Sequence, residues 1–469
     1  MNDSQLARRL ADTNLWWVDP AWELDDPDLR PLRDNPFDYR PDPLRGIAPD
    51  GLYLLLGPRR VGKSVEIKRA IAALVEGGIN PRAVVFVSCD GLRANDLRRM
   101  LHVARNLART IPGRRYWFID EVTAVEGWSA IIKHERDQTQ LRTDCVVLSG
   151  SSSRGLQEAV ADLAGRRGTD TVDTERVLLP MSFRDFCRAT GGVDGLLAAE
   201  PMRPRDVFPL GAGALDDLSI HWPGLADRWE LFVRIGGYPR AVRGFIETGA
   251  VPAAFARDLW DVVRGEAFRS IQMAAPETLA LLARLAEALC SPVNASDVAR
   301  DLGIGSHHQV EARIVALVSA FLGMRCYRDE NGAVNFGARR KFYFTDPLLA
   351  RLAHEIDADH PEPDASAISE QQLAVALARA FERERPGALI EGTEVRYWVS
   401  EATRKEIDFV GPRIGTGFES KYVDQGWRGE ARTLIARGPG GIVATRGVYS
   451  RDADAFAIPI GMLVWLIGG

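Results

Sequence analysis

The chain has 469 residues, of which 46% are hydrophobic and 26% are charged, the proportions of an ordinary globular protein. It is too long for a single small binding module, and at roughly 100–200 residues per domain it predicts about three or four domains. The 59 basic and 64 acidic side chains give a net charge of −5, which argues against action through bulk positive charge but allows a local basic surface.

Cysteine usage indicates a reducing environment. The five cysteines lie far apart, without a CxxC pair or a Cys/His cluster at zinc spacing. No export signal is visible at the N-terminus, and we expect a cytoplasmic protein without structural zinc. The longest apolar stretch, residues 456–467, is too short to span a bilayer and contains Pro459 and Gly461, so it predicts a buried strand.

In chain order, residues 1–45 predict an N-terminal arm, because residues 18–50 are rich in Pro, Asp and Arg. From Gly51 apolar strands alternate with helical segments, which predicts a parallel sheet covered on both faces within residues 46–190. The expected strands and the first helix occupy residues 52–56, 83–88, 116–119 and 145–149, and residues 65–76.

The second half of the chain predicts a change of architecture. Residues 191–270 are expected to form a helical lid or linker. Three short helical patterns in residues 276–321 and a hairpin turning at residues 329–332 predict a winged helix over residues 271–356. A linker rich in Pro and Asp, residues 357–366, then leads to a last α/β region, residues 367–469.

The strongest motif matches GxxxxGK[ST] directly between an apolar strand and a helix, and its residues are Gly57, Pro58, Arg59, Arg60, Val61, Gly62, Lys63 and Ser64. In such a loop the backbone N–H groups surround phosphate oxygens, Lys63 reaches the β- and γ-phosphates, and Ser64 ligates Mg²⁺. A chance glycine-rich turn is the alternative, and the correct flanks on both sides disfavour it.

Two further strands end in polar side chains that suit the same chemistry. The strand at residues 116–119 runs into Asp120 and Glu121. In a P-loop ATPase the first acid holds the Mg²⁺ shell and the second orients and deprotonates the attacking water, roles that Asp120 and Glu121 fit. Ser149 ends a third strand and could place a hydroxyl near the γ-phosphate, although an ordinary polar strand end is an equal alternative.

The loop and the two strand ends are followed by three more segments: Gly165-Arg166, LPMSFRDF at residues 179–186 and GGYP at residues 236–239. In this order the segments resemble the prokaryotic AAA-type ATPases that carry a winged helix and a restriction-endonuclease-like C-terminal domain. The resemblance covers nearly the whole chain after residue 45. It implies an α/β fold: a P-loop AAA-type parallel sheet with a helical lid, then a winged helix and a PD-(D/E)xK domain.

The same resemblance implies roles for two residues. Ser149 takes the sensor-1 position, and Arg166 is a candidate arginine finger that acts on a neighbour's nucleotide. A surface-loop arginine is the plain alternative for Arg166. Because a finger supplied in trans requires a neighbouring subunit, this interpretation predicts a ring-like homo-oligomer with ATP and Mg²⁺ as cofactors.

Near the C-terminus Asp408 is followed by Glu419 and Lys421 in the D…ExK layout of nuclease sites. In such a site the two acids bind a divalent cation and the lysine stabilises charge at the scissile phosphate. Glu370, on an upstream helix, is an additional candidate acid. The bare pattern is common by chance, so the family resemblance supplies most of its weight. A working nuclease and a nuclease fold retained for DNA binding or assembly both stay open.

Basic side chains suggest where DNA binds. Residues 91–115 hold seven arginines against one acid, and Arg98, Arg105 and Arg109 fall near one helical face, where they could neutralise phosphates. A solvated helix surface is the alternative. In the expected winged helix, side chains suited to contacts with the phosphate backbone are Arg313, Arg339, Arg340 and Lys341.

These patterns combine into one leading hypothesis and two alternatives. The leading hypothesis is an oligomeric, ATP-hydrolysing DNA-remodelling enzyme of the translocase, helicase or branch-migration type, with duplex or branched DNA as its partner and no membrane partner. The alternatives are an ATP-gated, metal-dependent DNA nuclease and an ATP-dependent regulatory switch or scaffold without DNA motor activity.

Overall fold

The computed structural model describes residues 2–153, 159, 162–163, 165–166, 168, 174–191, 193, 200–210, 219–268, 273–438 and 440–468. The chain forms two compact units, Met1–Leu178 and Leu179–Gly469. The finer division into five segments stays a prediction. Within the described residues, every helix is too short or too polar to cross a membrane.

The first unit is built on a parallel sheet. Its strands are β1 (Leu52–Leu56), β2 (Val84–Ser88), β3 (Tyr116–Asp120), β4 (Cys145–Gly150) and β5 (Glu175–Val177). Its α-helices in the described residues are α1 (Asp3–Thr13), α2 (Lys63–Glu76), α3 (Ala94–Ala108) and α4 (Trp128–Gln138). The strand order is β2-β3-β4-β1-β5, with every neighbouring pair parallel. The predicted strands and the first helix are therefore confirmed, with shifts of one or two residues at their ends.

The strand order explains how this sheet positions a site. All residues of β1, β3 and β4 are buried, as expected for a parallel sheet covered on both faces. Although β4 follows β3 in the chain, it lies between β3 and β1. Since the carboxyl ends of parallel strands meet at one edge, the side chains that follow these three strands are brought together there.

The N-terminal segment covers the edge of this sheet. Asn14, directly after α1, accepts a hydrogen bond from the Phe86 N–H (2.7 Å) and donates one to the Phe86 carbonyl (2.9 Å). The indole N–H groups of Trp16 and Trp17 donate to the Val84 carbonyl at 3.0 and 2.8 Å. These side chains occupy hydrogen-bonding groups of edge strand β2 that a further strand would otherwise pair with.

The second unit is mixed α/β. Its helices are α5 (Phe183–Thr190), α6 (Pro204–Val207), α7 (Trp222–Ile235), α8 (Pro239–Thr248), α9 (Ala253–Val262), α10 (Ala275–Glu287), α11 (Ala295–Asp301), α12 (His307–Ser319), α13 (Pro347–Ile356), α14 (Ala365–Glu384), α15 (Ala388–Glu391), α16 (Trp427–Arg437) and α17 (Ile460–Ile467). Its strands are β6 (Pro292–Val293), β7 (Gly323–Glu330), β8 (Ala333–Asn335), β9 (Arg340–Phe344), β10 (Arg396–Val399), β11 (Glu406–Val410), β12 (Gly417–Lys421), β13 (Gly441–Thr445), β14 (Ser450–Arg451) and β15 (Ala455–Pro459).

One sheet runs through the second unit. Its order is β14-β15-β13-β12-β11-β10-β7-β9-β6, and β8 pairs with β7. The three helices and the hairpin expected between residues 276 and 345 are observed, with Asn331 and Gly332 at φ values of 53° and 84° in the turn. Strand β10 pairs in parallel with β7, so the hairpin and the last α/β region share this sheet. Whether they are a winged helix and a nuclease-like domain stays a prediction.

The expectation of a single buried strand over residues 456–467 is wrong. Strand β15 ends at Pro459 and α17 begins at the next residue. Proline has no N–H to donate to a continuing ladder and has a φ compatible with helix entry, which explains the change of structure at this position.

Candidate functional site

The loop at residues 57–64 leaves β1 and enters α2 with a strongly curved backbone. Gly57, Arg60 and Gly62 have φ values of 148°, 72° and 102°. A Cβ added to Gly57 would lie 1.9 Å from the Leu178 carbonyl oxygen, so only glycine fits there. Such curvature turns successive N–H groups towards one point and, with the amino end of α2, produces an anion-binding concavity.

Lys63 lies at the amino end of α2 and is almost fully buried. Its Nζ donates hydrogen bonds to the carbonyl oxygens of Gly57 (2.9 Å) and Pro58 (3.0 Å) and lies 3.7 Å from Oε1 of Glu121. The loop therefore holds the ammonium group close to its own backbone and to the acid that follows β3.

Asp120 connects the loop to two strand ends. Its Oδ2 accepts a hydrogen bond from Ser64 Oγ at 2.8 Å, and its Oδ1 accepts one from Ser149 Oγ. The Ser149 hydroxyl oxygen in turn accepts a hydrogen bond from the Glu121 N–H at 3.0 Å. Three side chains, those of Ser64, Asp120 and Ser149, and the backbone N–H of Glu121 are thus joined in one hydrogen-bonded network.

Glu121 has an unusual backbone and an unpartnered oxygen. Its φ of 54° lies in the left-handed region, which costs free energy for a residue other than glycine and is found at functional sites. Its Oε2 is buried and accepts no hydrogen bond. This carboxylate has an oxygen available for a water molecule.

These residues fit a complex of Mg²⁺ with a nucleoside triphosphate. Ser64 and Asp120 offer hard oxygen ligands beside the anion-binding loop. Among the described residues, no group of three or more His, Cys, Asp and Glu side chains is arranged to hold a metal ion. Mg²⁺ at phosphate sites commonly uses one or two protein ligands together with phosphate oxygens and water, which agrees with this sparse donor set.

The N-terminal segment reaches the same site, which the sequence analysis missed. Nζ of Lys68, one turn after Ser64 on α2, lies 3.1 Å from Asp26 Oδ2 and 4.9 Å from the centre of a Trp16 ring. Burial raises the pKa of Asp28, and the carboxylates of Asp26 and Asp120 raise it further. The acidic residues within 25–28, close to tryptophans in the sequence, were the signal that could have indicated this contact.

Arg166, the candidate finger, forms an ion pair within its own unit. Its Nε lies 2.6 Å from Oδ1 of Asp137, and its side chain is 28% exposed. To reach a nucleotide on a neighbouring molecule, the guanidinium would have to leave Asp137. Its role as a finger stays a prediction.

The arginines of α3 differ in their surroundings. Arg98 and Arg109 are exposed, whereas Nε of Arg105 lies 3.5 Å from Oε2 of the buried Glu135. Their binding to DNA stays a prediction, and the exposed pair is best suited to it.

The structure corrects two of the basic residues predicted to contact DNA from the second unit. Lys341 is fully buried, and Arg313 is about nine-tenths buried with Nη2 3.7 Å from Glu277 Oε2. Neither lies at the surface. Arg339 is exposed, and Arg340 is half-buried with Nη1 3.3 Å from Oε2 of Glu311.

Lys341 instead belongs to an acid cluster, which we define as Glu370 on α14 together with Glu406 and Asp408 on β11. Its Nζ lies 3.0 Å from Glu370 Oε1 and 3.3 Å from Asp408 Oδ1, and it also contacts Glu406. Burial alone would lower the pKa of Lys341, but the three carboxylates raise it well above its usual value. The sequence analysis missed Glu406, although side chains two residues apart on a strand share a face with each other.

The other two nuclease-motif residues lie beside the acid cluster. Nζ of Lys421 is 3.2 Å from Glu419 Oε1, while Glu419 Oε2 is buried and accepts no hydrogen bond. Burial raises the pKa of Glu419 to about 8, and the charge of Asp408 adds to this effect. Asp408 Oδ2 accepts a hydrogen bond from the Ser420 N–H at 2.8 Å.

Comparison with known proteins finds similarity for part of the chain. Residues 50–187 match the model of a family described as an AAA domain. An uncharacterized protein of Haemophilus influenzae is 26% identical over 143 residues, a match that spans 30% of this chain and about a third (34%) of that relative.

Two solved structures show weaker likeness. A Walker-type ATPase of Pyrococcus abyssi is 14% identical, with a TM-score of 0.39 over 72% of this chain and 95% of its own. The ORC2 protein of Aeropyrum pernix, solved as ADPNP and ADP complexes, is 13% identical, with a TM-score of 0.34 over 67% and 89%. TM-scores this low establish no common fold over such lengths. The family match and the geometry around Lys63 together support an AAA-type ATPase domain over residues 50–187.

Proposed function

We propose that this protein hydrolyses ATP with Mg²⁺ at the loop of residues 57–64 and uses the cycle to act on DNA. The observation that carries the hydrolytic part is the network in which Asp120 accepts hydrogen bonds from Ser64 and Ser149 while Ser149 accepts one from the Glu121 N–H. A phosphate-binding loop, a metal-binding acid and a second acid with a buried, unpartnered oxygen are thus held together before substrate binds.

In the proposed reaction each side chain has a separate task. Lys63 exchanges its contacts with the loop carbonyls for the β- and γ-phosphate oxygens and neutralises their charge. Glu121 orients the attacking water through its unpartnered oxygen and accepts a proton from it. Ser149 fixes the backbone at Glu121. Bound Mg²⁺ supplies neutralisation of the charge that develops on the phosphate oxygens.

DNA is the partner that the exposed cations favour. Arg98 and Arg109 lie on or directly after α3 and are exposed, so they are suited to sequence-independent contacts with phosphates. We propose a DNA-remodelling role of the translocase, helicase or branch-migration type, carried out by a homo-oligomer. An ATP-dependent switch without DNA motor activity is the alternative that a failed DNA response would favour.

The test measures ATP turnover of the purified protein with Mg²⁺, alone and with single-stranded, duplex, forked and four-way-junction DNA. We expect DNA to raise turnover of the wild type, the double variant Arg98→Ala/Arg109→Ala to lose this response while keeping basal turnover, and Glu121→Gln to lose both. Arg82→Ala, which removes an exposed arginine two residues before β2, is the matched control. Turnover that ignores every DNA would refute the DNA role, and turnover that survives Glu121→Gln would refute the site.

A further inference from the structure

The acid cluster contains Glu370 and Asp408, two of the acids that the sequence predicts for a nuclease site of the D…ExK type, yet these acids already surround a cation. Nζ of Lys341 is enclosed by carboxylates from two different elements: Glu370 from α14, at 3.0 Å, and Glu406 and Asp408 from β11, the latter at 3.3 Å. The lysine comes from β9, more than sixty positions before Asp408 in the chain and outside the D…ExK motif.

Two oxygens of this cluster also accept hydrogen bonds from other donors. Glu370 Oε1 accepts a second hydrogen bond, from the Tyr343 hydroxyl at 2.6 Å, and Asp408 Oδ2 accepts one from the Ser420 N–H. These donors satisfy lone pairs that a divalent cation would need, and the ammonium would repel such a cation at contact distance.

Glu419 does not compensate for this loss. One of its oxygens faces Lys421, which leaves Oε2 as a single unpartnered oxygen. Mg²⁺ at phosphate sites is commonly held by one or two carboxylates, and here the carboxylates of Asp408 and Glu419 each already face a lysine ammonium group. The residues present therefore do not fit a divalent metal site, although the sequence motif predicts one.

We propose that Lys341 is a built-in replacement for the metal ion of a nuclease-like site. Its ammonium group neutralises the acid cluster, excludes divalent cations and ties β9 to α14 and β11. In this state the last α/β region does not cut DNA. The ion pairs of Lys341 with the acid cluster hold these three elements together inside the second unit. This role does not depend on ATP binding in the first unit.

The test measures how many Mn²⁺ ions bind to the whole protein without nucleotide. The electron paramagnetic resonance signal of the unbound ion reports this number. The wild type and Asp408→Asn should bind the same number of ions, because the wild-type cluster takes up none. Lys341→Met should gain one Mn²⁺ that the double variant Lys341→Met/Asp408→Asn lacks. Arg339→Met removes an exposed positive charge two residues earlier and should gain no ion.

A thermal-unfolding series gives a second measurement on the same proteins. Lys341→Met should unfold at a lower temperature than the wild type, and either Mn²⁺ or the added substitution Glu370→Gln should restore part of the loss. Wild-type Mn²⁺ binding that disappears in Asp408→Asn would overturn the proposal even if Lys341→Met does not fold. So would a folded Lys341→Met protein that gains no ion and loses no stability.

Discussion

At the scale of single residues, Ser149 has the least obvious role in the nucleotide site. Its hydroxyl donates to Asp120 and accepts from the Glu121 N–H, so it joins the proposed metal-binding acid to the backbone of the proposed general base. The left-handed conformation of Glu121 makes this support important, because the backbone must be held in an unfavourable region.

We predict that Ser149→Ala lowers kcat by about tenfold or more with a much smaller change in nucleotide affinity. The substitution leaves the Glu121 N–H without its acceptor. The lost hydrogen bond costs about 1–3 kcal/mol, and we expect this cost to shift the Glu121 carboxylate from its catalytic position. The measurement is steady-state ATP turnover beside fluorescent-nucleotide binding. Ser88→Ala, at the end of β2, is the control. Equal losses in kcat and in affinity, or an unchanged kcat, would contradict a positioning role.

Sequence reasoning succeeded at this scale where neighbours are set by strand ends. Lys63, Ser64, Asp120 and Glu121 belong to motifs, and the parallel sheet brings such positions to one edge regardless of loop length. Lys341 could not be found in this way. Lys341 directly follows Arg339 and Arg340, and such a basic tripeptide resembles a solvated cluster. Only tertiary packing shows that Arg340 and Lys341 lie in different surroundings.

At the scale of secondary-structure elements, the amino end of α13 is held by a buried acid. Asp346 accepts hydrogen bonds from the Leu348 N–H at 2.9 Å and from the Gly237 N–H at 2.7 Å. It therefore caps its own helix and fastens the turn between α7 and α8. Burial raises the pKa of this carboxyl group from its usual 3.8 to about 6, against the lowering effect of these two hydrogen bonds.

This shift predicts a loss of stability with rising pH. Between pH 4 and 6 the folded protein keeps the Asp346 proton that the unfolded chain releases, so the free energy of unfolding falls as pH rises, by about 3 kcal/mol for this group. Asp346→Asn cannot ionise and should lack this decrease. Its stability relative to the wild type should therefore improve between pH 4 and pH 7.

Urea unfolding of both proteins across this pH range measures the difference, in which most other titrating groups cancel. Asp364→Asn makes the same substitution at the exposed N-cap of α14 and controls for the change from Asp to Asn at a helix cap by itself. A difference between Asp346→Asn and the wild type that stays constant from pH 4 to pH 7 would contradict the buried titration.

The positions of helices and strands were predicted better than the way these elements pair and pack. Local periodicity located β1 to β4 of the first unit, but not β5, and the three helices before the hairpin in the second. It missed α1, whose capping box is formed by Asn2 and Gln5, because this amphipathic pattern is short and the proline-rich residues that follow indicate an extended segment. It also extended a strand through residues 456–467, since an apolar run alone does not distinguish a strand from a buried helix.

At the scale of the whole molecule, the pairing of β10 with β7 is the feature that the sequence did not disclose. The Pro/Asp-rich linker at residues 357–366 marks a boundary by composition, but the strands on its two sides belong to one sheet. Pairing between strands about seventy residues apart depends on how their buried faces pack, which local propensity does not encode. The same long-range packing brings Lys341 to the acid cluster.

The proposed oligomer provides the last prediction, which concerns Arg166. If its guanidinium leaves Asp137 to contact the nucleotide of a neighbouring molecule, Arg166→Ala should lower ATP turnover by on the order of 10³-fold, the scale typical of arginine fingers. Wild-type turnover per molecule should rise with protein concentration as subunits associate. Asp137→Asn, which removes only the partner of the resting ion pair, should keep most of its activity.

Mixing two inactive variants separates a finger from a structural arginine. Arg166→Ala retains Glu121, and Glu121→Gln retains Arg166, so an interface between them pairs an intact hydrolytic site with an intact finger. An equimolar mixture should therefore recover part of the wild-type turnover, whereas each variant alone stays inactive. A purely local role for the ion pair with Asp137 gives no recovery, because neither subunit then supplies what the other lacks. Recovery at protein concentrations that favour association would thus place Arg166 at a shared site.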